Sequence, residues 1–560
     1  MHKSIIDKSK ETIKTKEERM TFKRVLFLLA LSVLCISVSA QFASFRSLST
    51  AGLLDDNIEA ILAVTEMTYV DGFNIFTNLS NFDYQSEDIF DGYSDNYLIG
   101  FKGSMMDMLH LGFLSASEGY KYGYTDTVTS TEYIDNNGDE QYDEFITENE
   151  TDEYFEGDNY STNFVAFTFG KPEGVKAGFS YTNYRGNYAY DEVYTDVVRD
   201  SNRISGDLMR LYNEWYYYDY TNPYTDNVLT LNGAFSTGAM EFALNIGLEF
   251  LKSNYFDYEV DSFIEDLSPA NPSMPFQYNG FYSDSTEYTQ NGFGWNVGLQ
   301  MYYRTSNQDS IEFGGYVSNV NYGKAHYTSN YSNQYDAIYP GIVENETYSY
   351  DYNDSYGDST SSFAEAYMSW GVGGKFVKKL EKAHFAMGAF FGQYKNSEID
   401  TSNYDYTYEE RYNDGNGMDD LGDYEYYEEG SYSREYAYNS LGTYIYLPVG
   451  IEYNFWGPLT GRLGAETNLS WYNSYGSEKF LAFDPGTYTI TYGDGSVYEY
   501  LNDHDSYRED YSYGYSSFDR STYFSYGIGW EISKNVKVDF MGFSDLTDMT
   551  DWSISANVKF

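Results

Sequence analysis

One cysteine in 560 residues, Cys35, excludes a disulfide framework and any thiolate metal cluster built within one chain. Basic residues are scarce too: 34 Lys and Arg stand against 86 Asp and Glu, a formal net charge of −52. Binding a phosphate backbone needs cations, so no nucleic-acid partner is expected. Docking on anionic lipid head groups is disfavoured for the same reason. Nothing matches a nucleophile elbow, a zincin helix or a phosphate loop, so no enzyme is expected. What is abundant is tyrosine, with 66 residues in a chain that is 20% aromatic. Low hydropathy with high charge ordinarily signals disorder. Disordered chains are poor in aromatics, however, and Tyr, Phe, Trp, Val and Thr favour strands.

Lys23 and Arg24 precede an apolar run, Val25 to Val38, broken only by Ser32 and Ser37 and followed by Ser39 and Ala40. This reads as a secretory signal peptide cleaved after Ala40, so residues 1–40 are an N-terminal extension and leader. The run is too short to span a bilayer, which needs about 20 apolar residues. No later segment looks like a transmembrane helix. The exported product is therefore either soluble or spans a membrane as strands.

The chain ends on strict alternation. Trp552, Ile554, Ala556, Val558 and Phe560 are apolar; Ser553, Ser555, Asn557 and Lys559 are polar. Period 2 places one set on each face of a strand. The same text recurs at Phe242–Phe250, Trp295–Tyr303 and Phe524–Ile532, with a polar face rich in Gly, Asn, Ser and isolated charges. A nine-residue alternating strand with a terminal Phe resembles the C-terminal assembly signal of bacterial outer-membrane β-barrels. That resemblance implies outer-membrane lipid and the barrel assembly machinery as partners.

Short turns fall at Ser104–Asp107, Lys171–Gly174, Thr237–Met240, Thr305–Asp309, Lys379–Lys382, Trp456–Gly461 and Ser533–Asn535. Between them lie polar stretches, roughly 123–160, 188–226, 254–290, 322–361, 396–438 and 473–520, dense in Tyr, Asp, Glu, Asn, Ser and Gly. Short turns at one end and long loops at the other are the layout of a transmembrane barrel. Seven turns join fourteen strands. A first strand near Phe73–Phe82 and the last strand bring the expected all-β, antiparallel barrel to about sixteen. Runs such as Tyr404, Tyr406 and Tyr408 keep alternating inside the polar stretches, so several strands should continue above the membrane as Tyr-faced ribbons.

Residues 41–68 form a separate segment before the barrel of 69–560. Asp55-Asp56-Asn57 followed by Ile58, Ile61 and Leu62 fits a short capped helix that could enter the barrel as a hatch. With its hairpin layout this is similar to long-chain fatty-acid transporters of the FadL type, which also carry an N-terminal plug. The chain departs from them in strand count and in lacking an Asn-Pro-Ala hatch motif. It also resembles general porins and barrel families without assigned function.

Extending the alternation places Lys102, Lys176, Asn245, Glu249, Arg304, Glu312, Lys375, Glu452, Arg462, Glu466, Lys537 and Asp539 on the lumen wall. A mixed-charge lumen suits small polar solutes, and acidic outer loops should concentrate cations. Two functions fit. One is a passive channel or transporter for small solutes. The other is a surface-exposed binding or structural barrel with a plugged lumen. No cofactor is expected, apart from Ca²⁺ in the loops. Asp135, Asn137, Asp139 and Asp143 place oxygens at alternate positions, although Glu140 and Ile146 break the EF-hand pattern.

Overall fold

A computed structural model describes residues 44–70, 72–81, 97–105, 108–134, 144–202, 208–266, 277–305, 309–340, 347–413, 423–501, 510–543 and 553–560. In chain order the strands are β1 (Asn74–Asn81), β2 (Tyr97–Met105), β3 (Leu109–Ile134), β4 (Glu144–Gly170), β5 (Gly174–Asn202), β6 (Leu208–Thr237), β7 (Met240–Asp266), β8 (Gln277–Arg304), β9 (Ser310–Pro340), β10 (Thr347–Lys379), β11 (Ala383–Asn413), β12 (Tyr424–Trp456), β13 (Leu459–Tyr492), β14 (Val497–Leu501), β15 (Tyr511–Ser533), β16 (Val536–Phe543) and β17 (Ser553–Lys559). They form one antiparallel sheet. β1 pairs with both β2 and β17, so the sheet closes on itself. β14 pairs only with the outer end of β13. The barrel wall therefore has sixteen strands, with β14 as an extra hairpin strand on its rim.

All seven expected short turns fall between consecutive wall strands at one end, although residues 106–107 and 306–308 of two of them lie outside the described residues. Two of the tightest place glycine where φ is positive, Gly238 at +55° and Gly457 at +50°. Only glycine takes that backbone conformation without a steric penalty. Closure leaves no unpaired edge at membrane depth, which strands in lipid require.

The outward face is apolar. On β7, Met240, Phe242, Leu244, Ile246, Leu248 and Phe250 are all exposed, while Glu241 and Glu249 between them are buried. Ten residue steps of about 3.3 Å, tilted about 40°, cover roughly 25 Å along the barrel axis. Neighbouring strands continue the band with Leu299, Phe313, Val372, Val449 and Leu463. That height matches the hydrocarbon core seen by outer-membrane barrels, so the soluble reading is set aside.

The wall then rises well above this band. β3 has 26 residues and β13 has 34, against about 9–11 needed to cross a membrane. The polar stretches are therefore mostly ladder-paired sheet, as the alternating tyrosines imply. Four strands, β16, β17, β1 and β2, stay short. Among the described residues, β3 from 118 to 134 pairs above them only with β4, and β15 from 511 to 524 only with β13.

The N-terminal segment holds three short helices: α1 (Phe45–Leu48), α2 (Asn57–Leu62) and a 3₁₀ helix, Val64–Tyr69. The boundary expected after residue 68 falls inside that last helix, and the first strand opens at Asn74. Asp56 caps α2 as the Asx cluster suggests, and Glu59 closes a capping box by reaching back to the Asp56 amide. Ile58, Ile61, Val64 and Met67 pack with Phe76, Leu98, Leu114, Phe164 and Ala166 of the wall in one apolar cluster. Leu53 and Leu54 pack on Ala386.

Candidate functional site: the N-terminal segment at the short-turn mouth

Inward glycines mark where the N-terminal segment lies. A Cβ at Gly112 of β3 would press on Ile61 and Met67, and one at Gly178 of β5 on Val64. Across the lumen, a Cβ at Gly450 of β12 would meet Thr50, and one at Gly527 of β15 would meet Ser49. The segment thus bears on opposite sides of the wall, at the level of the short turns.

Charged side chains complete the contact. Arg46 reaches Glu452 at 2.8 Å and donates to the Asp55 carbonyl. Asp55 meets Lys375 at 2.5 Å, and Lys375 also meets Glu312 at 3.1 Å. Asp56 meets Lys537 at 2.8 Å. Tyr69 donates its hydroxyl to Glu241, and its ring lies 4.0 Å from Lys176 Nζ and 4.5 Å from the Arg304 guanidinium carbon. Lys102 donates to the Val70 carbonyl and, at 2.7 Å, to Ser104. Behind these, Arg462 bridges Glu452 at 2.8 Å and Asp539 at 2.6 Å, and Lys537 joins Asp539 at 3.2 Å. One network therefore runs from Arg46 through β12, β13 and β16 back to Asp56.

Electrostatics in the segment pull two ways. Burial opposes the charge on Asp56, yet Lys537 and Arg46 hold its carboxyl below the ordinary range. Burial pushes Glu59 up to about 7, helped by Asp55. Burial also pushes Glu66 up to about 7, helped by Glu312 and Asp55. The docked segment then keeps protons that a released Glu, ionising near 4.3, gives up. Docking should weaken as pH rises from about 4 to about 7 and level off above that. Rotational anisotropy of a fluorophore on Asn57→Cys checks this. It should be higher at pH 5.5 than at pH 8, and the opposite order would refute the assignment.

Most of the residues expected on the lumen wall meet the N-terminal segment or one another. Lys102, Lys176, Arg304, Lys375, Glu452 and Lys537 engage the N-terminal segment directly. Glu312, Arg462 and Asp539 pair within the wall. Glu466 accepts from Tyr446, whose hydroxyl also contacts the Ala51 carbonyl. Asn245 lies over Gly298, and Glu249 is buried near Gly294. The cations of the wall at this mouth are thus balanced by carboxylates of the wall and the segment.

Of the C-terminal signal, Trp552 lies outside the described residues. Ile554, Ala556 and Val558 pair with both β1 and β16, which closes the barrel. Phe560 is 71% exposed, its ring 6.1 Å from that of Phe73. The candidate Ca²⁺ ligands Asp135, Asn137, Asp139 and Asp143 also lie outside the described residues.

No family model matches the chain, and no curated protein does. Among solved structures, a FadL homologue of Pseudomonas aeruginosa aligns over 92% of this chain and 98% of its own, with 9% identity and a TM-score of 0.26. The toluene transporter TbuX of Ralstonia pickettii aligns over 92% and 97%, with 10% identity and a TM-score of 0.26. The ferric yersiniabactin uptake receptor FyuA of Yersinia pestis aligns over 87% and 80%, with 10% identity and a TM-score of 0.23. The chain has the fold of an outer-membrane β-barrel. The closed sheet and its apolar belt carry that statement; the likeness to these structures is one of fold alone.

Arg46, Tyr69 and Glu241 are among the residues of this contact that the list of lumen candidates left out. Signals in the sequence point to two of them. Arg46 is the only basic residue between 41 and 70. Glu241 shares its parity with Asn245 and Glu249, one step beyond where the apolar alternation begins.

Proposed function

We propose that the protein is an outer-membrane transporter for small polar solutes, closed at rest by residues 44–70. Export through cleavage after Ala40 belongs to this reading. One observation carries it. Beside its apolar contacts, the segment is fastened to the wall by ion pairs and hydrogen bonds, which water and solute can replace without unfolding the barrel. A sixteen-strand wall is wide enough to leave an aqueous path once the segment moves. The acidic inner wall above it draws cations toward the mouth.

The second reading is a surface binding barrel that never opens. The continuation of the strands as ordered sheet far above the belt favours it, since a pore does not need such height.

A reversible lock separates the two. A Cβ at Gly112 would lie 3.8 Å from the Ile61 Cβ, the usual separation in a disulfide. Cys35 is the only native cysteine and lies in the leader. Ile61→Cys with Gly112→Cys, oxidised, should abolish planar-bilayer conductance, and reduction should restore it. Equal conductance in both states would show that the segment is not the gate. Silence in both states, and in the wild type, would support the binding barrel.

A further inference from the structure

Above the mouth, the inner wall of β4 to β8 is almost without cations. Among the described residues its inward positions above Lys176 and Arg304 hold one basic side chain, Arg210, and Glu265 takes it at 2.8 Å. Arg185, Arg199 and Lys252 are exposed on the outward face. Carboxylates occupy the same wall. Glu150 of β4 stands directly opposite Asp196 of β5, and Asp196 directly opposite Glu214 of β6. Registers run unbroken from there down to Gly170↔Lys176 and Lys176↔Ala234, so the row shares a face with Lys176.

Like charges directly opposite each other destabilise a sheet, and here three stand in line. Asp196 is only 8% exposed, and its Oδ1 has no hydrogen-bond partner among the described residues. Burial, with Glu148, Glu150 and Glu214 beside it, pushes its carboxyl above the ordinary range.

Tyrosines complete the surface. Tyr154 donates to Glu156 at 2.5 Å, Tyr190 to Glu192 at 2.5 Å and Tyr212 to Glu214 at 2.8 Å, each two residues along its own strand. A phenol has one proton to give, and these are engaged by carboxylates. Remaining are acceptor lone pairs and ring faces. Tyr190 meets Tyr154 and Tyr218 edge to face, with centroids 5.2 Å apart in both pairs.

We propose that this inner wall binds a linear organic polycation, a chain bearing several ammonium or guanidinium groups. Such a ligand brings the positive charge that this row lacks, with N–H donors for its carboxylates, and its cationic centres can lie over tyrosine rings. Adjacent strands are about 4.8 Å apart, close to the spacing of amines three methylenes apart. A point ion fits less well. Among the described residues no three His, Cys, Asp or Glu side chains gather around one metal position, so the carboxylates form a line rather than a cage. Binding here does not require residues 44–70 to move, so it can fail or succeed independently of transport.

Spermine is the probe, titrated calorimetrically into the folded protein in detergent at about 0.15 M salt, where exposed charges are screened beyond about 8 Å. It should bind saturably and more tightly than putrescine. Asp196→Asn with Glu214→Gln should weaken it about tenfold or more, and Asp196→Asn alone about threefold. The control removes two charges from the exposed outward face of the same strands, Glu153→Gln with Asp191→Asn. It should change affinity less than about twofold, because screened exposed charges contribute little. Gel mobility without boiling confirms folding of each variant. Equal weakening by the inward and outward pairs would mean that only the overall field attracts the amine, and would overturn the proposal. Absence of saturable binding by the wild type would overturn it as well.

Discussion

Arg462→Met should destabilise the barrel by about 3–5 kcal/mol, the penalty for leaving buried carboxylates without their cation. The Arg462 side chain is only 2% exposed and holds Glu452 and Asp539 at once. Methionine keeps much of the apolar stem but removes all of the charge. Glu452 would then rely on Arg46 and His384, and Asp539 on Lys537. Two of these supports belong to the contact with the N-terminal segment, since Arg46 is part of it and Lys537 also holds Asp56. The loss should therefore loosen the segment as well as the wall. Urea unfolding of the refolded protein in vesicles, followed by tryptophan fluorescence, gives the change from the midpoint at constant slope. Adding Glu452→Gln should cost less than the two single changes together, because each removes part of one network. A shift under about 1 kcal/mol would mean that water reaches these carboxylates and the network is no tighter than a surface ion pair.

The wall was legible in the sequence because lipid is a uniform apolar solvent. Every second residue of a membrane strand answers to it, and Phe242–Phe250 or Trp295–Tyr303 display that without help from the rest of the chain. Turn positions were legible because the runs stop abruptly at Gly-containing or charged punctuation. The rim was less so. β14 lies within the polar stretch 473–520, where neither face meets lipid and Tyr-x-Tyr text suits strand and loop alike. The contact between the N-terminal segment and the wall was half legible. Parity placed Lys102, Lys375 and Arg462 inside, but not what each would touch. Arg46 meets Glu452 across 406 positions of sequence, and no local pattern encodes that pairing. Inward glycines such as Gly112 and Gly450 were a quiet trace of it. A lumen filled only with water gives no reason to omit the side chain just where a helix must pass.

The same parity argument yields the second large effect, a pair of substitutions one residue apart with opposite outcomes. Leu244→Arg should destabilise the barrel by about 2–4 kcal/mol, the measured range for a cation on the lipid face near the bilayer midplane. Leu244 is 41% exposed and lies near the middle of the outward row from Met240 to Phe250. Its side chain would enter hydrocarbon with no carboxylate within reach, since the flanking outward residues are Phe242 and Ile246. Asn245→Arg places the same group on the inner face, opposite Asn232 and Gly298 and two positions from Gly247. There it meets polar neighbours and the lumen, and Glu249 lies two strand repeats away on the same face. Its effect should stay within about 0.5 kcal/mol, the range of a substitution in a solvated site. Refolding into vesicles of matched thickness and urea titration measure both. A barrel that tolerated both substitutions equally would not be meeting lipid at Leu244, and the belt would have to be moved along the wall. A barrel harmed more by the inner change would have its faces reversed, and with them the whole set of contacts that hold residues 44–70.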